Sequence, residues 1–175
     1  MSLPPRTRPG VSASVDAFRR ILRALRLAAR RTHATAGISA AQLFVLQVLG
    51  DGADASLTQI AARTMTDRTS VAAVVERLVD AGLVSRAPSA EDRRRASIRI
   101  TVRGRSVLRR APVSPTALLV AGLEGLEHRK LASLADGLAV LTAGMGLSEQ
   151  RAGMLFDDAE DAMRRPTPRP RAARR

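Results

Sequence analysis

The sequence predicts a mainly α-helical chain with one small β-hairpin, and three observations carry that prediction. Apolar residues recur at alternating spacings of three and four along most of the 175 residues. A single stretch, 97–103, changes to period two. Most of the candidate helices also open on a Ser or Asp start signal.

Residues 14–35 set Val15, Phe18, Leu22, Leu25 and Ala29 on one stripe, flanked by Ile21 and Ala28, while Arg19, Arg23, Arg26 and Arg30 line the other face. Gly37 is expected to end this long amphipathic helix. Ser39 and Gln42 then have capping-box spacing, with Ile38 placed to staple onto Leu43. The helix that follows, through Leu49, is apolar nearly all round and should be buried; Asp51-Gly52 closes it with a turn. Ser56 and Gln59 repeat the box, opening a short helix to about Thr64. After a break at Met65-Thr66, Asp67 is an N-cap. Val71, Val74, Val75, Leu78 and Val79 make the buried stripe of the next helix, with Arg68, Thr69, Ala72, Ala73 and Glu76 opposite. Gly82 sits where a left-handed residue closes a helix. Two helices joined by a turn of about three residues follow helix-turn-helix grammar.

After Gly82 the period changes. Leu83–Arg86 reads as a strand, Pro88–Asp92 as a turn, and Ile98, Ile100 and Val102 alternate with Ser97, Arg99, Thr101 and Arg103, one face being wet. A hairpin directly after a helix-turn-helix is a wing, with Arg93, Arg94 and Arg95 at its tip. Helix resumes from Arg103 to Arg110, is interrupted by Pro112 and Pro115, and restarts at Ser114-Pro115. Leu118, Leu119, Leu123 and Leu126 continue an apolar face. Leu131, Leu134, Leu138 and Leu141 form another stripe to about Met145. Ser148 should cap a last helix carrying Met154, Leu155, Ala159 and Met163.

Charge narrows the choice of partners. Lys+Arg is 29 against 16 for Asp+Glu, a formal net charge of +13, which favours polyanions. Arginine bias in the genome explains the preference for Arg over Lys better than it explains the surplus over acids. Residues 164–175 hold six arginines, three prolines and no acid, and residues 1–12 are similarly poor in order-forming residues, so both are expected to be disordered. Without the eight charges of these tails the body carries +5, and a local surplus of that same size lies between Arg86 and Arg105. Three aromatic residues leave little for single-stranded nucleic acid readers built on base stacking. The absence of cysteine excludes disulfides, thiolate metal sites and thiol redox sensing. No apolar run reaches the roughly 18 residues of a membrane span and no signal-peptide core follows Met1, so a cytoplasmic, nucleoid-associated location is expected.

Residues 38–105 resemble a MarR-family winged helix-turn-helix transcriptional regulator. Asp67-Arg68-Thr69-Ser70-Val71 through Glu76-Arg77-Leu78-Val79-Asp80-Ala81-Gly82-Leu83-Val84 is similar to the family's recognition helix and its exit. Asp92-x-Arg94-x-x-x-Ile98-x-Ile100-Thr101-x-x-Gly104 matches its wing signature. The flanking helices fit a dimerisation domain by position and pattern. Between the disordered arm (1–12) and the Arg/Pro-rich tail (164–175) that composition predicts, the resemblance implies an N-terminal dimerisation helix (13–36), a DNA-binding domain (37–105) and C-terminal dimerisation helices (106–163).

Arg68, Thr69 and Ser70, on the first turn after Asp67, are candidates for base or phosphate contact, because arginine reads guanine bidentately and the hydroxyls bond bases or phosphates. Arg77 is a further DNA-binding candidate. Ala73 stands where family members often carry a basic residue, which leaves either a lost contact or methyl packing on thymine. Arg93 and Arg95 are candidates for phosphate or minor-groove contact, and Asp92 with Arg94 for a structural pair. The starts at Ser39, Ser56 and Thr58 could offer N–H groups to phosphates, although capping is the simpler role. Val15, Phe18, Leu22, Leu25, Met154 and Leu155 are dimerisation candidates. His33 is a weak effector candidate, an ordinary surface or core histidine being the simpler reading.

His33 and His128 lie in no metal-binding spacing, no cofactor loop is present, and nothing suggests an enzyme. The expected function is a homodimeric regulator, a repressor of a pseudo-palindromic operator in double-stranded DNA. Any effector would meet Leu, Val and Ala walls, favouring an apolar or amphipathic small molecule; a ligand-indifferent dimer is the alternative. Two rivals stay open: a non-specific nucleoid-type DNA binder relying on its arginine tails, and a dimeric protein-interaction module.

Overall fold

The computed structural model describes residues 8–50, 54–88, 96–150 and 152–157. Within them the elements run α1 (Val11–Ala36), α2 (Ala40–Leu49), α3 (Leu57–Thr64), α4 (Arg68–Asp80), β1 (Val84–Pro88), β2 (Ala96–Ile100), α5 (Val102–Arg110), α6 (Pro115–Glu124) and α7 (His128–Gly144). The turn expected at Asp51-Gly52 and the arginine-rich terminus lie outside the described residues. Helix α1 starts at Val11, inside the arm expected to be disordered. Helix α5 runs unbroken across the domain boundary expected at 105/106.

Local chemistry sets the helix starts. Both capping boxes form: the Ser39 hydroxyl accepts from the Gln42 N–H while Gln42 Oε1 accepts from the Ser39 N–H, and Ser56 with Gln59 does the same. Helix α2 is the spindle of the lobe. Its Leu43, Val45 and Leu46 are fully buried, and α3, α4, α5 and α6 all pack against it. Val71, Val74, Val75 and Leu78 of α4 are equally buried, each worth about 1.5–3 kcal/mol by removal from water. Val79, expected in that stripe, packs at its partly exposed edge.

The exit of α4 is a left-handed turn. Gly82 takes φ 67°, so that its N–H reaches the Val79 carbonyl (2.8 Å) and the Leu83 N–H reaches the Leu78 carbonyl (2.9 Å). Strands β1 and β2 pair antiparallel with Val84 opposite Ile100 and Arg86 opposite Ile98. Ile98 is also bridged to Ala55 on its other edge, by N–H to carbonyl bonds of 3.1 and 2.8 Å in the two directions. That third segment covers Ser97, which is buried rather than on the expected wet face, its hydroxyl directed at Asp54 (3.4 Å). The period-two stretch ends at Ile100. Val102, expected to continue the apolar face, begins α5 and is largely exposed.

The start of α5 is built on two residues. The Thr101 hydroxyl accepts from the Gly104 N–H (3.0 Å), and the Thr101 N–H donates to the Leu83 carbonyl (3.0 Å). Gly104 lies so close that a Cβ there would stand 2.1 Å from the Leu83 carbonyl oxygen. Ser114 caps α6 with Pro115 at its first position, as expected. Helix α7 buries no residue: Leu134, Leu138 and Leu141 are each more than a third exposed.

Beyond α7 the structure departs from expectation. The helix expected from Ser148 does not form through residue 157. Gly146 and Phe156 both take left-handed φ (69° and 57°), and residues 147–150 and 152–157 are turns and extended chain. They return to the winged lobe, and Met154 joins its buried core cluster.

Candidate nucleic-acid interface

Helix α4 presents its N-terminal turn to solvent because Asp67 holds it open. The Asp67 carboxylate accepts from the Thr69 N–H (2.9 Å), the Ser70 N–H (3.0 Å) and the Ser70 hydroxyl (2.6 Å), satisfying donors at the positive end of the helix. Arg68 and Thr69 are exposed, and Ala73, one turn on, shares the exposed face. Ser70 stands apart from them: half-buried, it donates its hydroxyl to Asp67 instead of offering it outward. Arg77 is also less available than expected. It is half-buried, and its Nη2 is paired with Asp157 of the C-terminal return. Glu76, an acid on the outward face, is matched by Arg86 of β1.

The hairpin is tied to the helices at its base. Arg99 donates through Nε and Nη2 to Asp54 (2.7 and 2.6 Å). This hydrogen bonding, with the guanidinium charge behind it, holds the Asp54 carboxyl below the usual carboxylate range and raises Arg99. The wing residues Asp92, Arg93, Arg94 and Arg95 lie outside the described residues. Pairs such as Asp54–Arg99 and Arg77–Asp157 escape sequence reasoning because nothing local links partners 45 and 80 residues apart.

The remaining candidates separate by burial. Val15, Phe18 and Leu22 of α1, and Leu155, are exposed, whereas Leu25 is buried within the chain. Met154, expected in a dimer contact, is instead part of the winged lobe's own core, because the C-terminal return carries it there. His33 is exposed in the last turn of α1 and lines neither groove on that helix. One of these, about 320 Å³ and apolar, lies between α1 and α6 against Ile21, Leu25, Leu118, Leu119 and Leu123. Ser39 and Ser56 serve their capping boxes. Among the described residues no His, Asp or Glu cluster could hold a metal ion, and no helix is long and apolar enough to cross a membrane.

Comparison with known proteins bears on this geometry. Residues 36–95 match the MarR family. The fold is similar to that of Sco3205, a MarR family transcriptional regulator from Streptomyces coelicolor solved in complex with DNA (TM-score 0.56, 22% identity, covering 85% of this chain and 99% of that one). It is also similar to the transcriptional regulator BldR from Sulfolobus solfataricus (0.51, 22%, 79% and 99%). A third is BpsR of Bordetella bronchiseptica, whose DNA binding is regulated by 6-hydroxynicotinic acid (0.51, 23%, 80% and 98%). No curated protein sequence matches the chain. Sco3205 and BldR are transcriptional regulators.

Proposed function

Since residues 36–95 are a MarR-family winged helix-turn-helix region, we propose that the chain is a homodimeric, sequence-specific DNA-binding regulator that represses from a pseudo-palindromic operator. The observation that carries this reading is the presentation of Arg68 and Thr69. They stand exposed on the first turn of a helix whose opposite face is locked into the core by Val71, Val74, Val75 and Leu78. Such a first turn can enter a major groove without disturbing the fold. Arg68 then reads a guanine edge, Thr69 a base or phosphate, and Ala73 packs a methyl surface. Arg93 and Arg95 of the wing are assigned to the backbone or the adjacent minor groove.

Residues 13–36 and 106–163 form the dimerisation part in this proposal, and residues 37–105 the DNA-binding part. Val15, Phe18 and Leu22 of α1 and Leu134, Leu138 and Leu141 of α7 support it, since apolar stripes of that extent on exposed helices mark association surfaces. Two-fold symmetry puts the half-sites about 34–36 Å apart. Release by a small apolar ligand completes the proposal. The groove between α1 and α6 has walls of that chemistry, and a ligand favouring one conformation shifts the population toward it.

The test is an anisotropy titration of the purified chain with duplex from its own upstream region and with a scrambled copy. A preference on the order of a thousandfold for the native duplex is expected. Equal affinity for both would overturn the reading.

A further inference from the structure

The C-terminal segment falls within the part assigned above to dimerisation, yet residues 153–157 return onto α4, a contact that assignment does not use. Gly153 lies against the first turn of α4, where a Cβ would stand 3.7 Å from Ser70 Oγ. Met154 is buried in the core cluster that also holds Val71, Val74, Val75 and Leu78 of that helix. Phe156 turns left-handed, and Asp157 meets Arg77 two turns farther along. Ser70 and Arg77, seven residues apart, lie on one flank of α4, so residues 153–157 run along that flank like a strap. The ion pair is sheltered: the Asp157 side chain is 13% exposed and that of Arg77 33%. Arg77 Nε is buried without a hydrogen-bond partner, so the guanidinium bonds through its outer end to Asp157.

We propose that Asp157 sets the DNA affinity of this chain by withholding Arg77 from the phosphate backbone. The inference rests on the DNA-binding reading above and adds a residue to it. Two cations on α4, Arg68 and Arg77, could serve DNA. Arg68 stands open at the entry of the helix and makes no ion pair among the described residues, whereas Arg77 is neutralised by a carboxylate from 80 residues away. A phosphate contact adds affinity that is blind to sequence and sensitive to salt. Occupying Arg77 therefore trims the sequence-blind share of binding while leaving base reading to the first turn.

The experiment compares wild type, Asp157→Asn, Asp157→Glu and Arg77→Gln/Asp157→Asn on a random-sequence duplex and on the upstream duplex, from 0.05 to 0.5 M salt. Thermal melts confirm that each variant is folded. Asp157→Asn is expected to bind the random duplex about eightfold more tightly per freed arginine at 0.1 M salt, with log K against log salt steeper by about 0.9 per lobe. Asp157→Glu should stay near wild type, and the double variant should return to it. An unchanged or weaker Asp157→Asn overturns the proposal. So does a gain that persists in the double variant, because it would then be a bulk charge effect. Loss of preference for the upstream duplex with the Asp157→Asn gain intact would sink the regulator reading alone. Absence of duplex binding by both wild type and Asp157→Asn would sink both.

Discussion

Arg99 of β2 grips Asp54 with two nitrogens, Nε and Nη2, at 2.7 and 2.6 Å, tying the base of the hairpin to the segment that leads into α3. Directly beside this pair, Ala55 exchanges two backbone bonds with Ile98. The hairpin is therefore held by a short third strand-like segment as well as by its own ladder, which fixes its angle to the helices.

The pair makes stability depend on acid. The Asp54 carboxyl is lowered in the folded chain, mainly by hydrogen bonding from Arg99. Its contribution is present above the unfolded carboxylate value of about 3.9 and lost as pH falls through the lower folded value. Urea midpoints of wild type and Asp54→Asn should differ most near pH 6 and converge toward pH 2. A constant gap across that range would mean that the charge of Asp54 is irrelevant.

Removing the exposed arginine at the entry of α4 should cost discrimination before fold. Arg68→Ala is expected to weaken operator binding by about 1–3 kcal/mol and to relax the preference at one base pair of each half-site. Its melting temperature should match wild type, because Arg68 is exposed and makes no ion pair among the described residues. Competition with single-substitution duplexes reads the effect.

Gly104→Ala should destabilise the chain without touching any DNA-facing residue. The added Cβ would stand 2.1 Å from the Leu83 carbonyl oxygen, a backbone atom that cannot swing aside. The cost is expected to be about 1–3 kcal/mol, or more where the backbone resists. Denaturant titration measures it.

Leu138→Glu tests association. Leu138 lies on α7, which buries no residue within one chain, so a charge there leaves the winged lobe intact. Light scattering behind size-exclusion chromatography should report a dimer for wild type and a monomer for the variant. A dimeric Leu138→Glu would remove α7 from the interface.

Much of this architecture is legible where its causes are local. The boxes at Ser39/Gln42 and Ser56/Gln59, the Asp67 cap and the Gly82 exit each depend on residues within five positions, and each forms. Thr101 and Gly104, legible only as a signature, acquire a reason: one caps α5 and the other lets it touch Leu83. Ser97 is buried where alternation expects a wet face, because alternation assumes an open edge: Ala55 pairs with Ile98 there, and the neighbouring Asp54 meets the Ser97 hydroxyl, while Arg99 on the same face stays exposed. The stripe of Met154 and Leu155 suggested a helix, yet one of the pair is buried and the other exposed in an irregular segment. Met154 is buried in the winged lobe's core, and helical spacing carries no information about a surface so distant along the chain.

The Leu83 carbonyl accepts both the N–H and the hydroxyl of Thr101, and Gly104 rests on it. With the Gly82 carbonyl, which the same hydroxyl also reaches (2.9 Å), it ties the chain leaving α4 to the first turn of α5. Any shift of α5 relative to the exit of α4 would have to break these bonds or carry that exit with it.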